Sequence, residues 1–199
     1  LAPFLAGMRV GNFSALDGEM AWRLYGNAAA KAAIDMAWLD LSGRAQNRPV
    51  YELLGRKRRD QVAILWLIGT GSLEGDVQEA RAKRTEGFTG YKIKVGAADP
   101  LEDARRTIAV CEALGPGMLI SADANQGFSV EAAIDYVRAV EHTALDFLEQ
   151  PVAGDDLPGM AKVAAASRIA IGADEGLHHA DDIQRHHDAR AAAGGSLKT

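Results

Sequence analysis

From Gln61 onward the chain repeats a short apolar run followed by a segment of helical period, at least five times. That alternation demands parallel strands joined by helical crossovers. The first run, residues 62–68, contains Trp66 and stops at Gly69-Thr70-Gly71; it reads as a strand buried on both faces. The next are residues 91–95, closed by Gly96, and residues 118–122. Phe147-Leu148 opens a fourth strand that Pro151 ends, and residues 169–173 form a fifth. Ser196-Leu197-Lys198 opens a sixth. Between them lie the apolar stripes of five helices: Leu73, Val77 and Ala80; Leu101, Ala104, Ile108 and Cys111; Val130, Ala133, Ile134, Val137 and Val140; Met160, Val163 and Ala164; and a polar helix over residues 181–192. Ser129 is placed to cap the third of these.

Two architectures satisfy this pattern, an open doubly wound sheet and an eight-stranded barrel. The open dinucleotide-binding type carries a G-x-G-x-x-G loop after its first strand. Here Gly69-Thr70-Gly71 runs into Ser72-Leu73-Glu74, without the third glycine. That weakens the reading as a nucleotide-binding α/β domain.

The first 55 or so residues have a different, helical texture. Residues 28–33 are nearly all strong helix formers, and Ile34, Ala37, Trp38 and Leu41 share one helix face. Ser42-Gly43 reads as the end of this helix, and residues 50–54 as a short helical turn beyond Pro49. With 199 residues, 48% hydrophobic and 25% charged, the chain suits one globular domain, or one with a piece of another, and not a disordered segment. No apolar run approaches the roughly 20 residues of a membrane span, and the start lacks the features of a signal peptide. A net charge of −5 argues against nucleic acid or an anionic membrane as partner. The single Cys111 fits a reducing, cytoplasmic setting. Leu1 is not a Met, and Thr199 follows directly on the sixth strand, so both ends read as cuts in a longer polypeptide.

The polar residues recur in register with the repeat. Lys94, Asp123, Glu149, Asp174 and Lys198 fall 29, 26, 25 and 24 residues apart, each at the C-terminal end of a strand or inside the sixth. In a barrel such positions converge on the catalytic face. Bare carboxylates side by side repel one another, and a divalent cation relieves that repulsion. An all-oxygen set favours Mg²⁺, with Mn²⁺ as the alternative.

The ordered set Lys92-Ile93-Lys94, Asp123-Ala124-Asn125, Glu149-Gln150-Pro151, Ala173-Asp174-Glu175 and Ser196-Leu197-Lys198 resembles the enolase superfamily, and within it the muconate lactonizing enzyme (muconate cycloisomerase) subgroup of mandelate racemase/muconate lactonizing enzyme-like proteins. Residues 32–43 and 49–55 are similar to the end of that family's capping domain and its join to the barrel. The resemblance implies an α/β fold: a (β/α)-barrel of which strands one to six are present, preceded by helices of an α+β capping domain. Residues 1–58 would be the C-terminal helical part of the cap. Residues 59–199 would be a partial (β/α)8 barrel without its last strands.

It also implies roles. Asp123, Glu149 and Asp174 match the metal ligands, with Glu175 as an alternative to Asp174. Lys94 matches the general base, Lys92 the lysine that tunes it and contacts the substrate carboxylate, and Lys198 the acid/base on the opposite face. Asn125 and Gln150 would support the ligands. A lysine at 198 argues against the mandelate racemase type, which uses a histidine from the next strand. Arg56 stands where the family usually has a second glycine at the join.

The implied reaction is Mg²⁺-dependent removal of a proton α to the carboxylate of a small molecule, giving an enediolate. Muconate cycloisomerisation, racemisation or epimerisation of an N-acyl amino acid or dipeptide, and o-succinylbenzoate synthesis all use it. Acid-sugar dehydration, or a catalytically inactive barrel kept as a binding module, are the alternatives. The family commonly assembles as homo-oligomers. The remaining features read plainly: His178-His179 and His186-His187 as a solvated helix exterior rather than a second metal site, Trp38 and Cys111 as core, Trp66 as interior or outer layer, and residues 81–84 as a solvated helix surface.

Overall fold

The computed structural model describes residues 5–7 and 13–198. Two compact units are present, Leu1–Val62 and Ala63–Thr199. Among the described residues, the first holds the helices α1 (Phe13–Arg23), α2 (Ala28–Gln46) and α3 (Val50–Leu54). α2 does not stop at Ser42-Gly43 but runs to Gln46. Its true terminator is Asn47, left-handed at φ 51°, whose N–H donates to the last carbonyls. Gly43 serves a close approach instead: a Cβ there would lie 2.7 Å from the carbonyl oxygen of Arg48. The expected Ile34–Leu41 stripe is only half-buried at Ile34 and Trp38, and exposed at Ala37 and Leu41. Helical phase sets where an apolar face points; it does not supply the cover.

The second unit is a six-stranded parallel sheet in the order β1-β2-β3-β4-β5-β6. The strands are β1 (Trp66–Ile68), β2 (Gly90–Lys94), β3 (Leu119–Asp123), β4 (Phe147–Glu149), β5 (Ala170–Ala173) and β6 (Gly194–Gly195). The crossovers are α4 (Leu73–Thr85), α5 (Pro100–Leu114), α6 (Val130–Val140), α7 (Leu157–Ala166) and α8 (Ala180–Asp188). Order by sequence, without the reversal of a doubly wound sheet, is the winding of a (β/α)-barrel.

Alternate strand residues Tyr91, Ile93, Ile120, Ala122, Leu148 and Ile171 pack on the helices in one core. Their neighbours, Lys92, Lys94, Ser121, Asp123 and Glu149, take the other face, because side chains alternate along a strand. Trp66 belongs to the helix side: its ring meets Phe88 edge-on at 5.1 Å, lies under the Lys83 ammonium and donates to Glu79 at 3.1 Å.

Several expectations need correction. β1 is three residues long, and Val62, Ile64, Leu65 and Leu67 are exposed to differing degrees. The first run is therefore not a strand buried on both faces; β1 is an edge strand with β2 on one side only. The sixth strand is Gly194–Gly195, so Ser196, Leu197 and Lys198 follow it rather than form it. On α5, Leu101 is exposed while Asp103 and Thr107 are buried. The polar helix is shorter than expected, and His186 on it is buried, its Nδ1 donating to the Asp182 carbonyl at 2.8 Å.

The core makes two predictions. Leu148 is fully buried in β4, and Leu148→Ala is expected to cost about 2–5 kcal/mol in urea unfolding, with an unchanged denaturant slope. Cys111 is buried, and burial pushes its thiol up to about 11. It is expected to ignore an aromatic disulfide reagent in the native protein and to react once the chain is unfolded in urea.

Candidate functional site

The strand ends carry the ionisable residues because each strand passes from an apolar stretch to a polar turn where its helix begins. Cross-strand pairing puts Lys94 opposite Asp123, and Asp123 opposite Glu149. On β5 the partner of Glu149 is Gly172, so Asp174 stands two residues further along, just past the strand. Lys92 lies two residues back from Lys94 on the same face, opposite Ser121. Asp123, Glu149 and Asp174 are 3%, 3% and 7% exposed.

Burying three carboxylates is unfavourable unless each is paired. Each has a lysine. Lys92 Nζ lies 2.5 Å from Glu149 Oε2 and 3.6 Å from Asp123 Oδ2. Lys94 Nζ donates to Asp123 Oδ2 at 2.7 Å and to Asn125 Oδ1 at 2.5 Å. Lys198 Nζ donates to Asp174 at 2.7 Å. The site is therefore an alternation of carboxylates and ammonium groups across neighbouring strand ends, made of the six residues Lys92, Lys94, Asp123, Glu149, Asp174 and Lys198 expected there.

The amides fall around this row. Gln150 is fully buried, and its Oε1 accepts from the backbone N–H groups of Asp174 and Gly176 at 2.8 and 3.1 Å. It thus fastens the turn after β5 from the end of β4. Asn125 bridges Lys94 to Glu175, donating to Glu175 Oε1 at 3.0 Å. The other oxygen of Glu175 is buried without a partner. Asn125, Gln126 and Gln150 hold φ values of 41°, 69° and 34°, so left-handed backbone gathers at the ends of β3 and β4. Such conformations persist only where surrounding contacts enforce them.

One site residue escaped the sequence reading. Ser196 Oγ donates to Glu149 Oε1 at 2.6 Å, so Glu149 is held from both sides. The signal was present: Ser196 sits two residues before Lys198 in the last matching segment.

Among the described residues, no group of three or more His, Cys, Asp or Glu side chains is gathered closely enough to hold a metal as it stands. The donor chemistry nonetheless fits a hard divalent cation. Asp123, Glu149 and Asp174 offer only oxygen, on adjacent strand ends, and positive charge already faces each of them.

Burial lowers the pKa of Lys92, but its hydrogen bond to Glu149 and the charges of Glu149 and Asp123 outweigh that, so it is held above its ordinary 10.5. The hydrogen bond to Asp174 raises Lys198 likewise, though this side chain is largely exposed and solvent screens the pair. Because the folded value of Lys92 is raised, its contribution to stability is full below the unfolded pKa and is lost as pH rises through the folded one. The difference in urea midpoint between wild type and Lys92→Met, without metal, is expected to be constant from about pH 7 to about pH 10 and to shrink above that. A difference that grows in alkali would contradict the pairing.

Comparison with known proteins shows the family. The family model described as "Enolase C-terminal domain-like" matches residues 76–198, and "Mandelate racemase / muconate lactonizing enzyme, N-terminal domain" matches residues 1–55. N-succinyl-L-Arg/Lys racemase of Bacillus cereus is 32% identical over 186 residues, 93% of this chain and 50% of that protein. A chloromuconate cycloisomerase of Cupriavidus pinatubonensis is 32% identical over 198 residues, 98% of this chain and 52% of that one. The crystal structure of muconate lactonizing enzyme from Pseudomonas fluorescens, complexed with muconolactone, superposes with a TM-score of 0.92 at 30% identity, covering 98% of this chain and 53% of that one. The chain thus spans about half the length of the relatives it matches. With both family models matched in order along it, the chain belongs to the mandelate racemase/muconate lactonizing enzyme family of the enolase superfamily.

Proposed function

We propose that this chain carries the proton-abstraction residues of an isomerase acting next to a carboxylate. The observation that supports it is the row Lys92, Lys94, Asp123, Glu149, Asp174 and Lys198 on adjacent strand ends. In this reading residues 1–58 are the helical end of a capping domain and residues 59–199 a partial barrel; the order of the two family matches supports that division. Asp123, Glu149 and Asp174 would hold Mg²⁺, or Mn²⁺ in its place, with Glu175 beside Asp174 as the alternative ligand. When bound, the cation stabilises the negative charge that develops on the substrate carboxylate.

This chain's residues do the rest. Lys94 takes the α-proton at Nζ. Lys92, held cationic by Glu149 and Asp123, faces the carboxylate and favours the enediolate over the acid. Lys198, kept protonated by Asp174, returns a proton from the opposite side. Asn125 orients the Lys94 ammonium through its Oδ1, and Gln150 holds the turn that carries Asp174. A base and an acid on opposite sides suit racemisation or epimerisation of an N-acyl amino acid or dipeptide, and equally a muconate-type cycloisomerisation. The two relatives described above have names of both kinds. The substrate is a small carboxylate, the protein a homo-oligomer and its setting a reducing cytoplasm. No described helix is long and apolar enough to cross a membrane.

The test is proton NMR of the complete polypeptide in D₂O with Mg²⁺, against N-succinyl and N-acetyl amino acids, dipeptides, cis,cis-muconate and acid sugars. Loss of an α-proton signal, or conversion of muconate to a lactone, that stops with EDTA is expected. Lys94→Ala is expected to lower that rate by about 10²–10⁴-fold. An active Lys94→Ala protein would overturn the assignment, and loss of signal untouched by EDTA would overturn the metal.

A further inference from the structure

A second charged cluster lies at the end of β2 and meets the row at the Lys94 backbone. Asp76 in α4 and Asp103 in α5 are fully buried, and the Arg106 side chain between them is 11% exposed. Arg106 donates through Nε to Asp76 Oδ2 at 2.8 Å, through Nη1 to Asp103 Oδ1 at 2.7 Å, and through Nη2 to Asp76 and to the carbonyl oxygen of Lys94, the last at 3.3 Å.

The far oxygens of the two aspartates hold backbone. Asp76 Oδ1 accepts from the N–H and the hydroxyl of Thr70, just past β1, at 2.9 and 2.6 Å. Asp103 Oδ2 accepts from Gly96 N–H, just past β2, at 2.8 Å. Gly96 has φ 91°, and a Cβ on it would lie 2.6 Å from the carbonyl oxygen of Ala124, so this turn sits tightly against the end of β3.

All these contacts converge on one residue. Lys94 is bonded at its own carbonyl by Arg106 and flanked two residues later by the Gly96 anchor. On its other side Gly69, next to the anchored Thr70, comes so close that a Cβ there would lie 3.4 Å from Lys94 Cβ. One guanidinium thus ties together the turns on both sides of the Lys94 stem. A buried ion network is weak grounds for stability, since apolar residues of similar volume pack there without the desolvation cost. What a planar guanidinium offers is direction: several donors at fixed angles, which neither an apolar side chain nor an ammonium reproduces.

We propose that Arg106, bridging Asp76 and Asp103, is a positioning residue for Lys94, fixing where its ammonium falls between Asp123 and Asn125. Its importance for turnover rests on the reading of Lys94 as the base; its effect on the place of Lys94 does not.

The experiment therefore has a readout that needs no substrate. The complete protein, Arg106→Met and Arg106→Lys are treated with limiting acetic anhydride, and acetylation of Lys92, Lys94 and Lys198 is quantified by peptide mass spectrometry. Near-ultraviolet circular dichroism establishes that each variant is folded. If Arg106→Met does not fold, Arg106→Lys carries the test, because it keeps the charge but cannot span both aspartates and the Lys94 carbonyl.

A selective change at Lys94 of about threefold or more, with Lys92 and Lys198 unchanged, is expected, together with a fall in kcat of about 10–100-fold at nearly constant KM on whichever panel substrate the unaltered protein turns over. Unchanged labelling at Lys94, or an equal change at all three lysines, overturns the proposal. A failure of the proposed function shows separately, as an unaltered protein that exchanges no substrate.

Discussion

Three carboxylates buried on neighbouring strand ends are the constraint on which this structure turns. Asp123, Glu149 and Asp174 cannot all be ionised and unpaired away from water, so each must be met by positive charge. Lys92, Lys94 and Lys198 meet them in this structure. In the proposed function a divalent cation and an organic anion would exchange with these counter-charges at the same row. The parallel sheet makes the row possible. Sequential winding brings every strand's C-terminal end to one side, and the two-residue alternation keeps Lys92 and Lys94 on the same face.

Around that row the structure separates tasks. Apolar strand residues face the helices and make the core, while their alternates form the charged row. The residues that brace the row are neither apolar nor in it. Gln150 fastens the turn after β5, Ser196 braces Glu149, and the Asp76–Arg106–Asp103 network gathers the turns beside Lys94. Each joins groups from different strand–helix units. Neighbouring units are thereby coupled at the ends where the charged row lies.

Much of this was legible in the residues. The strand–helix repeat, the parallel sheet and the strand-end positions of Lys94, Asp123 and Glu149 follow from apolar runs and their spacing. The errors have physical causes. The first run looked like a doubly buried strand, but only Trp66–Ile68 find a partner. Leu101 looked buried, yet of its stripe Ala104 and Cys111 are buried and Leu101 is exposed, while Asp103 lies inside, where Arg106 and the Gly96 N–H meet it. His186 looked solvated, yet its bond to the Asp182 carbonyl lets it lie inside. A polar residue in a buried phase looks like solvent exposure until its partner is known, and those partners lie up to 30 residues away.

By itself the sequence determined the winding and the ionisable row, since both are periodic and local: period two in strands, 3.6 in helices, and one charged residue per unit. Tertiary structure alone decided which charges meet. Lys92 with Glu149, Lys198 with Asp174 and Arg106 with Asp76 are separated by 57, 24 and 30 positions. Such pairings depend on strand register and helix rotation, which follow from the packing of all the elements together and leave no period in the chain.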